Sequence, residues 1–362
     1  MRSRFSTGGK RKGGRAKPPP RGGRWEHTYA ALDLGTNNCR LLVARPASDG
    51  FRVIDSFSRI VRLGQGVNAS GRLSETAMDR AIAALHVCAA KMKRRRVTIS
   101  RSVATAACRQ AENGGAFLER VASETGIQLE TIDAAEEARL AMAGCTPLLD
   151  QKCENAMVFD IGGGSTEVMW LRRCQRGMPE LLAWTSLPYG VVTLAETYGG
   201  THVPRETYDA MVGRMAELLD PFEGEHGLAD MVGSGAAQMI GTSGTVTTLA
   251  ALNLGLPRYE RRLIDGTWLD AASIREVSGR LSSMSYEERS GHPCIGEGRA
   301  DLVIAGCAIF DAIFRTWPAP GVRVADRGVR DGMLFHLMAA ADAGQGTVEA
   351  RAAGAEAVAA AE

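Results

Sequence analysis

The sequence predicts an α/β chain built as two similar halves around a central cleft, and three observations predict it. At 362 residues with 45% hydrophobic content, the chain is long enough to bury two cores. Each half opens with an apolar strand, a D-x-G turn and a second strand, first around Asp33-Leu-Gly-Thr-Asn37 and again around Asp160-Ile-Gly-Gly-Gly-Ser-Thr-Glu167. Strand patterns then alternate with helical ones, as in an α/β domain. This repeated opening reads as an internal duplication, and the space between the halves is the natural place for a site.

In the first half, residues 29–33, 40–45 and 51–61 read as a three-strand meander with tight turns. A helix follows, with Ser74 as N-cap and Ala77, Ala81, Ala84, Leu85 and Cys88 on one face. It ends in the basic run 91–96, where cations oppose the negative end of the helix dipole. A strand 97–104, a helix 116–124 stopped by Gly126, a short strand 128–132 and a helix from Ala134 complete this half. The second half restarts with strands 156–161, 166–171 and 180–186. Helices 207–219, 246–252, 271–281 and 301–315 then alternate with strands 239–242 and 322–325, before a last helix at 331–341.

The charge is unevenly placed. Nine of the 43 Lys and Arg residues precede Trp25, where no acid occurs, so the rest of the chain is net acidic although the total is +2. This basic segment and the Ala/Gly/Glu-rich residues 343–362 are too poor in apolar side chains to fold, and both are expected to be disordered tails. The basic tail suits electrostatic contact with a polyanion such as RNA or polyphosphate. No apolar run approaches a membrane span, and no apolar core follows the first basic residues as in a secretory signal. Eight scattered cysteines without a C-x-x-C pair fit reduced thiols, so a cytoplasmic protein is expected. Six histidines without H-x-x-H spacing give zinc no support, and His292, before Pro293, reads as structural.

The two D-x-G turns carry the chemistry. Gly163 and Gly164 let successive backbone N–H groups face one anion, Ser165 and Thr166 add hydroxyl donors, and Asp160 and Glu167 offer hard oxygen ligands for Mg²⁺. A third cluster, Gly241-Thr-Ser-Gly244-Thr245, precedes a helix whose N-terminal amides favour an anion. No G-x-x-x-x-G-K-[ST] and no G-x-G-x-x-G opening a helix after the first strand is present, which leaves out the P-loop and dinucleotide architectures.

Together with Asp133-Ala-Ala-Glu-Glu-Ala-Arg-Leu140 and Arg299-Ala-Asp301, these motifs resemble the exopolyphosphatase and guanosine pentaphosphate phosphohydrolase family of the actin-like superfamily, over residues 30–337. The resemblance implies two ribonuclease-H-like domains with mixed five-stranded sheets. Domain I would span 27–145 and domain II 146–326, with a helix 327–342 returning to domain I and tails at 1–26 and 343–362. It is to the short form, without the additional helical C-terminal region of longer members. It implies Mg²⁺-dependent hydrolysis, with inorganic polyphosphate or guanosine pentaphosphate as substrate and a second copy of the chain as candidate partner. Phosphotransfer to ADP, or sensing without turnover, are the rival readings.

Roles follow residue by residue. Asp133 reads as an N-cap with Glu136 as its reciprocal partner, which leaves Glu137 free. The family's water-activating carboxylate, just before Ala-Arg-Leu, also falls on Glu137. Asp33 is a further hydrated-metal candidate beside Asp160 and Glu167. Asn37, Gly163, Gly164, Ser165, Thr166, Gly244 and Thr245 form the expected anion cradle. Arg40 replaces a histidine of some relatives and offers a bidentate phosphate contact, Arg299 offers another, and Arg109 matches a family arginine facing the cleft. Deleting residues 1–25 is expected to flatten the salt dependence of polyphosphate binding, and an unchanged slope in a salt titration would remove the tethering role of the tail.

Overall fold

The computed structural model describes residues 23–174 and 177–344, so most of both expected tails lies outside the described residues. Two mixed sheets form the frame. In the first, β1 (Tyr29–Leu34), β2 (Asn38–Ala47) and β3 (Gly50–Ile60) are an antiparallel meander, while β4 (Ile99–Ala104) and β5 (Glu130–Thr131) run parallel beyond β1. In the second, β6 (Asn155–Ile161), β7 (Thr166–Arg172) and β8 (Glu180–Leu187) repeat the meander. There β9 (Ala237–Thr242) lies parallel to β6, and β11 (Gly321–Ala325) lies parallel to β9. The orders β3-β2-β1-β4-β5 and β8-β7-β6-β9-β11 correspond strand for strand, which makes the duplication visible.

The second sheet departs from the expected five strands. A sixth, β10 (Trp268–Asp270), pairs antiparallel with the edge of β11. Three residues are too few for an alternating pattern to register in the sequence, and only Leu269 is buried. The described residues just before the expected boundary at 27 are also folded onto the first lobe. Gly23–Glu26 forms a turn of 3₁₀ helix that docks on the last helix, where Arg24 N–H donates to Asp342 Oδ1 at 3.0 Å. The helix expected at 207–219 runs Arg205–His226, through Pro221. Tertiary contact overrides the proline: Trp317 Nε1–H donates to Glu223 at 2.6 Å, and Phe222 meets the Trp317 ring edge-on.

Other local signals act as read. Ser74 Oγ accepts from Ala77 N–H to start Glu75–Arg94, and Gly126 ends Gly114–Thr125 in the left-handed region at φ 71°. All eight cysteines are free thiols, six of them buried. Among the described residues no helix is long and apolar enough to cross a membrane.

Strand alternation then decides where the polar residues go. On β1, Ala30, Leu32 and Leu34 face the outer core of the first lobe, whereas Tyr29 and Ala31 face inward. Asp33 continues that inward row. On β6, Met157, Phe159 and Ile161 face the outer core of the second lobe and Val158 faces inward, so Asp160 is inward as well. The inner faces of both sheets close on two helices, Ala134–Cys145 and Val329–Asp342, which share one apolar core with them. The last helix lies against β1, β2 and β4 of the first sheet, Ala134–Cys145 lies against β6, β7 and β8 of the second, and the two helices pack on each other between the lobes.

Those two helices approach backbone to backbone. A Cβ on Gly332 would lie 2.0 Å from Leu140 O, and one on Gly144 would lie 2.2 Å from Gly328 O. Carbonyls inside a helix cannot move aside without breaking their own bonds. Gly332→Ala is expected to cost about 3 kcal/mol in denaturant unfolding, whereas Gly279→Ala, in an exposed helix with open space, is expected to stabilise by about 0.5–1 kcal/mol. Equal effects at the two positions would contradict the close-packed contact.

Candidate active site

The cleft between the lobes holds a cavity of about 430 Å³. Asp33, Arg40 and Asp160 line it, whereas Glu167 is buried and does not. Asp33 stands directly opposite Arg40 in the β1/β2 register, and Asp160 stands directly opposite Glu167 in the equivalent β6/β7 register. Opposite residues in an antiparallel pair share a face. The first lobe thus presents a carboxylate beside a guanidinium, and the second presents two carboxylates.

Burial raises the pKa of all these acids. Asp160 is pushed up to about 7, first by burial and then by Glu167 and Asp33, with Arg40 opposing. Glu167 is buried and accepts from Ser186 Oγ at 2.9 Å; burial pushes it up as well. Asp33 is raised by burial and held back by Arg40 and Arg330. Like charges directly opposite each other are unfavourable unless a cation lies between them, so the donor set fits Mg²⁺. Among the described residues no three His, Cys, Asp or Glu side chains converge as a self-sufficient metal cage.

Helix N-termini supply the rest. Ala134–Cys145 is capped by Asp133, whose side chain accepts from Glu136 N–H at 2.7 Å. The expected reciprocal bond is not made. Glu136 turns instead to Arg101 Nη1 at 2.9 Å, a cation two strands away that sequence order does not reveal. Glu137, one position on, faces the cavity, and its Oε2 lies 3.3 Å from Arg109 Nη1. Arg109 also donates to Ile132 O at 2.7 Å and does not line the cavity, so it backs Glu137 rather than facing a ligand. Burial and Glu167 hold the Glu137 carboxyl well above its ordinary range, while Arg109 favours the charged form.

The glycine loop sits against the first lobe. A Cβ on Gly164 would fall 2.7 Å from Thr36 Oγ1, and one on Gly163 would fall 2.9 Å from Thr36 Cβ. The Gly162 and Gly163 carbonyls are taken by Val191 N–H and Val192 N–H, whereas the Gly163 and Gly164 amides donate to no protein acceptor among the described residues. Ser165 lines the cavity. Thr166 does not, because its hydroxyl donates to Tyr189 O at 2.7 Å inside the core. Gly244 and Thr245 line it at the start of Ser243–Asn253, whose first residue has φ 91°. A non-glycine residue there is strained, as is common where a loop is shaped around a ligand. Three buried polar atoms on the wall, Asn37 Oδ1, Asn38 Oδ1 and Ser243 Oγ, have no partner.

Arg40 and Arg299 line the cavity as expected. Sequence reasoning missed Thr36, Asn38, Ser243, Tyr259 and Arg330. Thr36 and Ser243 lie inside the D-x-G and glycine motifs and Asn38 directly follows the first of them, so all three could have been read from the sequence, but Tyr259 and Arg330 carry no motif signal. His292 lies away from the site and accepts from Cys294 N–H through Nδ1, as a structural residue would.

Acids, free amides and arginines in one cleft fit a phosphoanhydride, and comparisons with known proteins place the chain among phosphatases. The Ppx/GppA phosphatase family model matches residues 42–341. Exopolyphosphatase 2 of Mycobacterium tuberculosis is 32% identical over 296 residues, covering 79% of this chain and 89% of that protein. The crystal structure of an Aquifex aeolicus member of the Ppx/GppA family superposes with TM-score 0.69 at 29% identity, over 86% of this chain and 97% of that one. An exopolyphosphatase from Cytophaga hutchinsonii shares the fold at TM-score 0.78 and 23% identity, over 86% and 98% of the two chains. The duplicated strand–turn–strand lobes, the glycine loop and the paired carboxylates are thus those of a phosphohydrolase, and the chain belongs to the Ppx/GppA phosphatase family.

Proposed function

We propose that the protein releases terminal orthophosphate from inorganic polyphosphate, with Mg²⁺ as cofactor. The observation that carries this reading is the placement of Glu137. It is a carboxylate on the cavity wall, oriented by Arg109, in the same cavity as the arginines and as loop amides that donate to no protein acceptor among the described residues. The terminal phosphoryl group binds at the Gly163 and Gly164 amides and at the N-terminus of Ser243–Asn253. Glu137 takes a proton from a water molecule as its oxygen attacks the terminal phosphorus. The phosphoanhydride P–O bond breaks, orthophosphate leaves, and the electron pair stays on the chain shortened by one phosphate. Asp160, with Glu167 opposite and Asp33 across the cleft, would hold Mg²⁺, which supplies charge neutralisation at the phosphoryl oxygens. Arg109 aims Glu137 and favours its ionised form against the burial and the Glu167 charge that oppose it.

Guanosine pentaphosphate is the second reading. Tyr259 and Phe57 line the same cavity, and Tyr259 is close enough to Arg299 for their charges to interact, so an aromatic surface is available to a base.

Glu137→Gln is expected to lower kcat for phosphate release by about 10²- to 10⁴-fold with little change in KM. Glu136→Ala, which loses a partly exposed ion pair, should cost about 1 kcal/mol of stability or less and leave turnover intact. Initial rates on long polyphosphate and guanosine pentaphosphate, measured in parallel, check both and choose between the substrates. Wild-type turnover by Glu137→Gln would remove the proposed base.

The metal site predicts a pH effect. Asp160 is raised from 3.8 to about 7 in the fold, so burial favours its protonated form. Its contribution is fully present below the unfolded value and is lost as pH rises through about 7. Mg²⁺ needs the ionised carboxylate and reverses that loss. In thermal melts, Mg²⁺ is expected to raise Tm clearly near pH 8 and little near pH 5, with Asp160→Asn abolishing the difference. An equal shift at both pH values would contradict the assignment.

A further inference from the structure

We propose that Arg330 is a substrate-binding residue: together with Arg40 and Arg299 it forms a three-guanidinium seat for the phosphates that remain on the chain when the terminal one is cut. The inference rests on the polyphosphate reading and extends it to a minimum substrate of about three phosphates.

The three side chains come from unrelated parts of the fold. Arg40 is on β2 of the first sheet, Arg299 precedes the helix Val303–Thr316 of the second lobe, and Arg330 is in the first turn of the interlobe helix Val329–Asp342. All three line the one cavity. None has a carboxylate at ion-pair distance or an accepting oxygen among the described residues. The two other arginines on the wall are accounted for. Arg261 is 3.1 Å from Asp331 and donates to Asp326 O at 2.5 Å, and Arg327 is 2.8 Å from Asp265.

Two acids come near enough to act on Arg330, and both are otherwise engaged. Asp331 receives Arg261 and, at 3.3 Å, the N–H of Gly328, which caps the helix. Asp33 stands opposite Arg40 in the strand register. Burial, then Arg40, pushes the Arg330 guanidinium below its ordinary range, and the same two causes act on Arg299. Half-buried cations, with Arg40 repelling both Arg299 and Arg330, lower the stability of the protein without an anion. The surrounding fold nevertheless holds them together, and an anion of several charges is the partner that relieves the repulsion. Guanidinium forks match phosphate oxygens in pairs, which suits a row of phosphates better than a single one.

The division of work within the cavity assigns the seat to the retained chain. In the proposed function Glu137 and the Gly163 and Gly164 amides serve the terminal phosphoryl group, and the three guanidiniums, which come from other elements of the same cavity wall, are left for the phosphates behind it. Pairs at the outer rim, such as Arg62 with Asp301 across the lobes at 2.8 Å, are already closed and offer no seat.

The test compares wild type with Arg330→Gln and Arg330→Lys, by steady-state phosphate release from tripolyphosphate and by thermal melts with and without tripolyphosphate or orthophosphate. Arg330→Gln is expected to raise KM for tripolyphosphate about tenfold or more, with a smaller change in kcat, and the lysine variant should recover part of it. Without anion its Tm should match or exceed that of wild type, and it should lose most of the Tm rise that tripolyphosphate, and not orthophosphate, gives the wild type. An unchanged KM with a lower anion-free Tm would make Arg330 structural and overturn the proposal. If the wild type releases phosphate from neither tripolyphosphate nor long polyphosphate, the proposed function fails, and the melts still decide the seat: an equal tripolyphosphate shift in wild type and Arg330→Gln overturns it.

Discussion

The contact on which the rest of the structure depends is the one between the helices Ala134–Cys145 and Val329–Asp342, where Gly332 and Gly144 leave no space for a side chain. These helices fill the gap between the two sheets, so their separation sets the separation of the lobes. Their N-terminal turns open at the same cleft, one carrying Glu137 and the other Arg330. A packing requirement at the edge of the cleft thus fixes how a base and a cation stand relative to the glycine loop. Alternation on β1 and β6 does the rest, turning Asp33 and Asp160 toward each other across the same gap.

The cleft gathers charge that the empty protein does not neutralise. Carboxylates collect near Asp160, where burial and mutual repulsion raise their pKa values, and guanidiniums collect around Arg40. Each group is unfavourable alone, and the two are complementary to the two parts of one ligand, a hydrated cation and a phosphate chain. Strain at Ser243 and the unpaired Asn37, Asn38 and Ser243 oxygens follow the same logic. Stability is given up at the site and supplied by the apolar interlobe core.

Much of this was legible in the sequence, because the features concerned are local. The D-x-G turns fix their own geometry, and a helix started by Asp133 places Glu137 on the face that Glu136 does not occupy. Whatever depends on a distant partner was not legible. Glu136 looked like half of a capping box and instead meets Arg101. Thr166 looked like a phosphate donor, but its hydroxyl is spent on Tyr189 O. The helix expected at 207–219 runs on through Pro221, because Trp317 and Phe222 hold the next turn. Arg330 lies in no motif, and its meaning appears only when β2, the loop before Val303–Thr316 and the last helix meet.

The measurement that tests the account most directly is a crystal structure of the Glu137→Gln protein with Mg²⁺ and tripolyphosphate. The account predicts the terminal phosphate on the Gly163 and Gly164 amides, with the residue 137 side chain facing its phosphorus and the retained phosphates on Arg40, Arg299 and Arg330. A chain bound outside the cleft, or one running in the opposite sense with its terminal phosphate on the arginines, would contradict it.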